Sequence, residues 1–449
     1  MPNFLRKLIK SLGVGAAVLV IVAAMGVGVF RLVVAELPSY QGQVQAWAQD
    51  VLGLSVSFSR LDARWGLRGP ELSFYDASVA RPDQEAEPMI SAGEVTLGFS
   101  PMVLFFERRL AVSRLALERT ELTLERGVDG QLRLQGAPSE QQSRTDLRFE
   151  DLPPVAIDLS DSNISYIDRA QARVWDFSDV RVRLERSEDR VLLEARGSPP
   201  AELGSRIDVS IDGTLEPQAD AETADWLIVS TLNDVDFGTV AELFPEVPGL
   251  PHGGVGDLSL WLETVGGDVT QATAQVELDD LRLAGAAETE STFDRLAVTA
   301  EWAQSSDGWS LSLSDLQLMR DGVRWPEIAN IGMNVTMSSG EPQALELDAN
   351  FLRLEDLSPL ISALPVEQIT DVWQSLLPEG DVENLSLSLA REPEGLAYDV
   401  TAMFDGVGMA SREGRPGVRG VSGTLRADTG SGRLALATTD AQFEWPEMF

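Results

Sequence analysis

Few residues in this sequence have a type and spacing that could do chemistry. His252 is the only histidine, and it lies in the turn sequence Pro251-His252-Gly253-Gly254. A metal site would have this residue as its only histidine ligand. A Ser/His/Asp triad would have to use it as its histidine. Adjacent acids such as Asp279-Asp280 could serve as general acid and base or hold calcium, but among 71 acids such pairs arise by chance. The sequence has no Gly-x-Ser-x-Gly elbow, P-loop or dinucleotide-binding glycine run. We therefore expect a protein that is not an enzyme, with no catalytic residue, no metal and no cofactor.

The composition narrows the class of protein further. The chain has 449 residues, no cysteine and a formal net charge of −36 at pH 7. Without cysteine there are no disulfides, thiolate metal sites or cysteine nucleophiles, so core burial and sheet hydrogen bonds must hold the fold. The acidic surface repels nucleic acid and anionic headgroups, and we expect no nucleic-acid partner. The simplest role of the acidity is solubility.

One stretch near the N-terminus is long and apolar enough to cross a membrane. Residues 11–30 hold no charged residue, and a helix of that length spans about 30 Å, the thickness of the hydrocarbon core. Arg6, Lys7 and Lys10 precede it, which predicts a cytoplasmic N-terminus and export of the residues after the apolar stretch. We expect a retained single-pass anchor within residues 1–35; the alternative is a signal peptide cleaved near Val33-Val34-Ala35. The side chains expected in the bilayer are Leu12, Val18, Leu19, Ile21, Val22, Val29 and Phe30.

From Leu54 onward, apolar residues recur at every second position, the period of a β-strand with one wet face. The runs are short and are bounded by Gly, Pro, Asp or Ser, so the sequence predicts many short antiparallel strands. The predicted hairpin turns are Asp129-Gly130, Asp212-Gly213, Asp307-Gly308, Asp321-Gly322 and Asp405-Gly406. The candidates for one continuous apolar face are Val56, Phe58, Leu72, Phe74, Leu115, Leu117, Leu122, Leu124, Val182, Leu184, Leu258, Leu260, Leu262, Leu311, Leu313, Leu385, Leu387 and Leu389.

Breaks in this period divide the chain into segments. An amphipathic helix is predicted over residues 38–52, whereas the period of residues 102–110 fits either a short helix or a buried strand. The predicted segments are the tail and anchor (1–35), a β unit with the leading helix (36–136), a linker (137–150), a β region (151–237), a helical and Pro/Gly break (238–256), a β region (257–355), a helical plug (356–378) and a last β region (379–449).

A weak internal repeat relates two of these breaks. The sequence LFPEVPGLPHGGVGDLSLWLE, from Leu243, resembles LLPEGDVENLSLSLA, from Leu376. In both, a helical pattern ends in a Pro/Gly turn and a strand pattern begins, which predicts a duplicated strand-rich unit with a helical plug. The last residues, ATTDAQFEWPEMF, are typical of a strand that is cut short. We expect a free sheet edge there and a longer natural protein.

The strand pattern permits two architectures. The apolar faces can close on one another as filled sandwiches, or the sheet can form a long gutter whose apolar inside stays open for acyl chains. Alternation of leucine and valine does not distinguish the two. In both, residues such as Leu313 and Leu387 face inward, and Ser312 and Ser386 face outward.

A resemblance to a known family favours the open gutter. The residues that carry it are Leu61–Trp65, Gly69–Leu72, Asp76–Val79, Ala92–Leu97, Arg114–Leu117, Leu122–Leu124 and Asp129–Leu132. In this order, after an apolar stretch and a short helix, they resemble the start of the large AsmA-like envelope proteins of the YhdP type. The resemblance covers the whole chain, most clearly residues 1–136, although such proteins are much longer than 449 residues.

This resemblance implies a fold and a function. Similar proteins are held in the inner membrane by one N-terminal helix and send a long, curled antiparallel β-sheet with a few short helices across the periplasm. Its apolar groove is thought to carry phospholipid acyl chains toward the outer membrane, and no catalytic residue carries over. The expected partners are phospholipid acyl chains, the inner membrane and, as a further option, other envelope proteins. The alternatives are an anchored periplasmic scaffold with closed sandwich cores and, third, an envelope hydrolase that uses a carboxylate pair.

Overall fold

The computed structural model describes residues 42, 55–66, 69–80, 88–107, 111–127, 132–135, 154–169, 172–187, 189–214, 224–243, 250–284, 290–362, 373, 375–393, 395–411 and 416–445. No helix among them is long and apolar enough to cross a membrane. The predicted anchor, and the predicted helix over residues 38–52 apart from Gly42, lie outside the described residues.

The chain divides into two compact units, Met1–Ser198 and Pro199–Phe449. Both are mainly β and mostly antiparallel with short helices, so this part of the predicted fold is confirmed. The eight segments predicted from the sequence are a finer division and stay predictions.

Unit 1 is a sheet with one short helix. Its elements are β1 (Ser55–Ser57), β2 (Arg60–Gly66), β3 (Gly69–Ala80), β4 (Ile90–Phe99), α1 (Pro101–Glu107), β5 (Val112–Arg126), β6 (Leu132–Leu134), β7 (Ala156–Asp168), β8 (Arg173–Arg186) and β9 (Arg190–Ser198). The order across the sheet is β2, β3, β4, β5, β7, β8, β9, while β1 also pairs with β3 and β6 with β5. Of residues 102–110, which fit a helix or a strand, residues 102–107 belong to α1, and residues 108–110 lie outside the described residues.

One pairing in unit 1 departs from the predicted antiparallel order. Strands β5 and β7 are parallel, from Arg114 opposite Ala156 to Arg126 opposite Asp168. The connection between them is long enough to return the chain to the same end of the sheet, as a parallel pair requires. The expectation of antiparallel strands throughout is therefore wrong at this pair.

Unit 2 is an antiparallel meander. Its elements are β10 (Arg206–Thr214), β11 (Asp225–Asp236), α2 (Phe237–Leu243), β12 (Gly253–Val265), β13 (Asp268–Ala284), β14 (Glu290–Ser305), β15 (Gly308–Arg320), β16 (Val323–Arg324), β17 (Ala329–Ser338), β18 (Glu341–Arg353), α3 (Leu354–Ser362), β19 (Glu379–Glu392), β20 (Gly395–Met409), β21 (Gly417–Asp428), β22 (Gly432–Leu436) and β23 (Gln442–Glu444). Successive long strands pair, β16 adds a short arm to β15, and β22 and β23 both pair with β21. No pairing among the described residues of unit 2 joins β10 to β20–β23, so this sheet is open.

Two Asp-Gly dipeptides do not form the hairpin turns predicted for them. Asp321-Gly322 does turn between β15 and β16, with both residues at positive φ. Asp212-Gly213 instead lies within β10, and Asp405-Gly406 lies within β20, where Gly406 has φ 62°. At Asp307-Gly308 the predicted hairpin is present between β14 and β15, with Asp307 in the turn and Gly308 as the first residue of β15. Asp129-Gly130 lies outside the described residues.

Two clusters of buried apolar side chains form cores, one in each unit. In unit 1, Phe58, Leu61 and Ala77 form a small core, and the rings of Phe58 and Phe74 meet edge to face at 5.1 Å. In unit 2, a larger core lies where α2 and α3 pack on the sheet. Its buried members include Phe237, Leu281, Phe293, Leu318 and Phe351, and Val240, Leu357 and Leu360 pack against them.

Candidate functional site

One face of the unit 1 sheet carries continuous rows of apolar side chains. Residues directly opposite each other on paired strands share a face, so the strand register gives the members of each row. One row crosses seven strands through Leu61, Phe74, Val95, Leu117, Leu159, Val182 and Ala195, and the next through Ala63, Leu72, Leu97, Leu115, Ile157, Leu184 and Leu193. These rows place six predicted residues together: Leu72, Phe74, Leu115, Leu117, Val182 and Leu184.

The other four predicted residues of unit 1 lie beside these rows. Val56 and Leu122 belong to a third row, which runs through Val56, Val79, Ile90, Leu122, Ile164 and Phe177. Leu124 faces Leu134 and Tyr166. Phe58 belongs to none of these rows, and it is buried in the small core together with Leu61 of the first row.

The apolar face of unit 2 is longer. One row crosses eleven strands without a polar residue: Ile211, Ile228, Leu262, Ala272, Trp302, Leu311, Met333, Leu347, Leu387, Val400 and Ala427. At about 4.8 Å between strands, its ten intervals span about 48 Å. We call this row the long row, and its face the unit 2 apolar face.

Shorter rows flank the long row on both sides. One runs through Leu260, Ala274, Ala300, Leu313, Ile331, Ala349 and Leu385, and another through Trp309, Val335, Leu345, Leu389 and Tyr398. Leu258 lies one row further, opposite Leu232 and Val276. The structure thus places all eight predicted residues of unit 2 on one face: Leu258, Leu260, Leu262, Leu311, Leu313, Leu385, Leu387 and Leu389.

The opposite face of the same strands is polar. The outward row beside the long row runs through Glu301, Ser312, Gly332, Asp348, Ser386 and Thr401. A surface depression of about 480 Å³, lined in part by Ser312, Asp348 and Ser386, lies on this side. Amphipathic strands of this kind offer apolar contact on one side of the sheet only.

Burial changes along the strands of unit 2. Where α2 and α3 pack on the sheet, Leu281, Leu318 and Phe351 are each only 1% exposed. All members of the long row are instead half-buried. Neighbouring strands shield their flanks, and no member of the long row belongs to the buried cluster on which α2 and α3 pack. The unit 2 apolar face is therefore covered at one end of the strands and accessible further along.

The two ends of these strands differ in construction. The helix end carries α2 and α3. The hairpin end carries tight turns such as Gly266-Gly267 and Ser339-Gly340, each with both residues at positive φ. Near the hairpin end, Trp226, Trp309 and Tyr398 lie on the apolar face, and the Trp226 ring fills the space that a Cβ on Gly213 would take. Aromatic side chains with one polar atom suit a boundary between apolar surface and water.

Charged residues hold α3 against the sheet at the helix end. The carboxylate of Asp356 is buried; it accepts a hydrogen bond from Trp325 Nε1 at 2.8 Å and lies 3.4 Å from Arg320 Nη1. Arg353 donates two hydrogen bonds to Asp381, at 2.8 and 3.0 Å. These bonds raise the pKa of the Arg353 guanidinium, since they stabilise its charged form.

Sequence reasoning missed the residues that keep the apolar face continuous. Strand β15 has an extra residue at Asp315: Leu313 faces Ile331, but Leu316 faces Ala329. Asp315 has φ 57°, and its N–H donates to Asn330 Oδ1 at 3.3 Å. Such a bulge reverses the alternation, so that Leu313 and Leu316 point to the same side. The sequence contains a signal for this bulge. Leucines occupy the odd positions 311 and 313 and then the even positions 316 and 318, and Asp315 lies between the two pairs.

Residues in this backbone conformation recur on many strands. Inside strands, positive φ occurs at Asp76, Arg119, Asp161, Asp179, Asp234, Asp280, Asp315 and Asn384. Polar groups on neighbouring strands bind N–H groups at or next to these residues: Asp257 Oδ1 accepts from Asp234 at 2.9 Å, and Ser162 Oγ accepts from Thr120 at 3.0 Å. Aspartate and asparagine tolerate this conformation better than other residues with a side chain.

The residues singled out for chemistry do not converge. His252 is exposed, and its backbone N–H bonds the carbonyl of Arg282 at 2.8 Å. Asp279 and Asp280 are exposed on β13, and Asp279 lies 3.5 Å from Arg295. Within the described part of the chain, no three His, Cys, Asp or Glu residues are grouped to hold a metal.

Comparison with known proteins identifies a family. No curated protein and no solved structure matches the chain. A family model described as "YhdP protein" matches residues 1–449. This is not a known enzyme family. The match spans the whole sequence, including the strands that carry both apolar faces, and the chain therefore belongs to the YhdP family of AsmA-like envelope proteins.

Proposed function

We propose that this chain is an inner-membrane-anchored periplasmic protein whose apolar sheet faces hold phospholipid acyl chains and guide them toward the outer membrane. The observation that carries the proposal is the long row, eleven apolar side chains from Ile211 to Ala427 with no polar interruption. An acyl chain needs such a path, because it would remove water from any polar group that it covers and would offer that group no hydrogen-bond partner.

The dimensions of the long row suit this ligand. One acyl chain occupies about 15 Å, half of a hydrocarbon core of about 30 Å. The long row, at about 48 Å, is about three such lengths. Lipids lying across the strands could therefore follow one another along the row.

Partial exposure favours an open face over a filled sandwich. Side chains such as Leu311 and Leu387 are half-buried, unlike the core residues under α2 and α3. Covering apolar surface gains about 25 cal/mol per Å². An acyl chain laid on this face would gain that free energy without displacing a protein layer.

We place the lipid headgroups at the hairpin end of unit 2. The helix end is occupied by the core around Phe293 and Phe351. At the hairpin end, Trp309 and Tyr398 mark a boundary between apolar side chains and exposed turns. Headgroups there would stay in water while their acyl chains lie along the long row.

Anchoring completes the proposal. Residues 11–30 would span the inner membrane once, with Arg6, Lys7 and Lys10 in the cytoplasm and both units in the periplasm. No catalytic step is required. An apolar face binds lipid equally well from either direction, so directional movement requires a free-energy difference supplied elsewhere.

The test is the phospholipid that co-purifies with the full chain. Substituting Leu262, Leu311 and Leu387 with Glu would interrupt the long row on β12, β15 and β19 and leave no run longer than about 14 Å between charges. The matched control substitutes Ser259, Ser312 and Ser386 with Glu, which adds the same charge to the opposite face of the same strands.

We expect the leucine variant to lose most of its phospholipid and the serine variant to keep it, with equal β-sheet circular dichroism in both. Equal phospholipid in the two variants, or none in the unsubstituted chain, would contradict the proposal. The anchored scaffold with closed cores would then explain the fold better.

A further inference from the structure

The polar face of unit 2 carries one aromatic side chain on strands β10–β19 as the structure describes them, namely Trp261 of β12. Its neighbours along the strand, Leu260 and Leu262, belong to the unit 2 apolar face, so Trp261 points to the opposite side of the sheet. The strand register places it between Val229 of β11 and Thr273 of β13. Trp261 therefore lies outside the apolar rows, and lipid binding on those rows does not explain it.

The indole of Trp261 is partly accessible. The residue is half-buried, although Val229, Ser259 and Thr273 beside it have short side chains. Part of the ring therefore rests on the sheet, and part faces solvent. None of the described residues accepts a hydrogen bond from its Nε1. A tryptophan with an accessible ring and an unbonded N–H offers a ligand both apolar contact and a hydrogen-bond donor.

Hydrogen-bonding side chains surround the ring. Ser259 and Glu263 flank it on β12, and Gln275 and Gln271 lie opposite these two residues on β13. The two glutamine amides are exposed and bond no other described group. Each amide offers an acceptor oxygen and two N–H donors. The register places no lysine or arginine next to Trp261 on β11, β12 or β13, so this surface has donors and acceptors without positive charge.

The row that contains Trp261 leads to the surface depression on the same face. It crosses the sheet through Trp261, Thr273, Glu301, Ser312, Gly332, Asp348 and Ser386. Its last four members line the depression of about 480 Å³. A Cβ on Gly332 would meet no atom within 4 Å, so the surface is open there. The six intervals of this row span about 29 Å, which is room for an extended ligand.

We propose that this row, from Trp261 to Ser386, binds a neutral saccharide chain. A sugar ring has an apolar face of C–H groups and a rim of hydroxyl groups. The indole of Trp261 covers the C–H face of one sugar, and the amides of Gln271 and Gln275 bond its hydroxyl groups. The following sugars lie along the row toward the depression. This activity goes beyond the proposed function, because it uses the opposite face of the sheet.

The chemistry of the row favours a neutral saccharide over other ligands. The carboxylates of Glu263, Glu301 and Asp348 repel anions such as phosphates and nucleic acid. Quaternary ammonium cations are held in cages of several aromatic rings, whereas Trp261 is the one aromatic side chain on this face of the described strands β10–β19. A purely apolar ligand would remove water from the glutamine amides and offer them no partner.

Saturation-transfer difference NMR measures this binding on the full chain in a detergent that has no sugar headgroup. The probes are maltotetraose and N-acetylated chitotetraose, two neutral tetrasaccharides, each compared with its monosaccharide. Trp261→Ala removes the aromatic platform, and Trp261→Phe keeps a flat ring. The matched control is Trp445→Ala, which removes a tryptophan that is 41% exposed and lies outside this row.

We expect saturable binding of at least one tetrasaccharide, and Trp261→Ala should weaken it about tenfold, because the ring contact is lost. Trp261→Phe should retain most of the affinity, and Trp445→Ala should leave it unchanged. Gln275→Ala should weaken binding about threefold through the loss of a hydrogen bond. The tetrasaccharide should bind more tightly than its monosaccharide, because the row continues beyond Trp261.

Absence of binding by both tetrasaccharides would overturn the proposal, as would equal binding by the Trp261→Ala and Trp445→Ala variants. Displacement of the saccharide by tetramethylammonium would identify a cation site and would also overturn it. If Trp261→Ala lost its β-sheet circular dichroism, the exposed pair Gln271→Ala and Gln275→Ala would decide instead. Phospholipid content, measured on the same samples, reports separately on the proposed lipid-binding function, so the two failures are distinguishable.

Discussion

At the scale of residues, the apolar faces depend on a few polar side chains within the strands. Strand β13 shows the pattern: Val276 and Leu278 face inward, Asp280 adopts φ 53°, and Leu281 and Leu283 then face inward as well. Relative to β12, strand β13 has one extra residue here, and without it Leu281 and Leu283 would point into water. These aspartates therefore determine which leucines lie on the same face of the sheet.

The conformation of Asp280 gives a stability prediction. Asp280→Val should destabilise unit 2 by about 1–2 kcal/mol, since a β-branched residue fits left-handed φ poorly. Asp280→Gly should stay within about 0.5 kcal/mol, because glycine accepts positive φ without strain. Thermal unfolding of the full chain, followed by circular dichroism, measures both.

The matched control for this pair is Gln275→Val, at an exposed position of the same strand with ordinary φ. It should be neutral, because valine suits a regular strand. If Asp280→Val were as stable as Gln275→Val, the bulge would not depend on the residue at 280.

At the scale of elements, α2 and α3 divide the unit 2 apolar face into a core and an accessible part. Leu357 and Leu360 of α3 pack over the cluster that contains Phe293 and Phe351. The buried Asp356 fixes α3 through Trp325 and Arg320, and the guanidinium of Arg320 lies 5.5 Å from the ring centre of Phe293. Trp373 Nε1 adds a hydrogen bond to Ser358 Oγ at 2.8 Å.

The bond between Trp325 and Asp356 predicts a local effect. Trp325→Phe removes the indole donor to a buried carboxylate, which costs about 1–3 kcal/mol. We expect faster hydrogen exchange at α3 amides, while exchange in unit 1 stays unchanged. Mass spectrometry of the exchanged full chain reads both regions at once.

Trp309→Phe is the matched control, since Trp309 is half-buried on the apolar face near the hairpin end, away from α3. If Trp325→Phe left hydrogen exchange in α3 unchanged, or if Trp309→Phe changed it equally, the hydrogen bond between Trp325 and Asp356 would not be what holds α3 on the sheet.

Much of the element structure is predictable from the sequence pattern, and its exceptions have physical reasons. Period-2 leucines predict the strands and their inner face, so Leu262, Leu311 and Leu387 do lie in one row. The parallel pair of β5 and β7 was not predictable, because strand periodicity carries no information about direction. Asp212-Gly213 has a turn composition but lies in β10, where tertiary pairing overrides local preference.

At the scale of the whole molecule, the sequence predicts which residues form the apolar face, but it does not predict whether that face is open or covered. The alternation of apolar and polar residues shows which side chains face inward. The exposure of the long row depends on which other elements pack on it, and the pattern of a strand holds no information about that. The family match over residues 1–449 agrees with the predicted family. The acidic composition suits a chain with large apolar faces, because like charges oppose association between copies.

The central claim is that acyl chains occupy the unit 2 apolar face in the cell. The most direct test is photo-crosslinking in living cells, with a photoreactive amino acid placed at Leu260, Leu313 or Leu387 and at the neighbouring Ser259, Ser312 or Ser386. Each pair lies on one strand and differs only in the face it occupies. We predict phospholipid adducts at the leucine positions and none at the serine positions. Crosslinks at the leucine positions that reach only other parts of the protein would contradict the claim and would identify the face as a closed core.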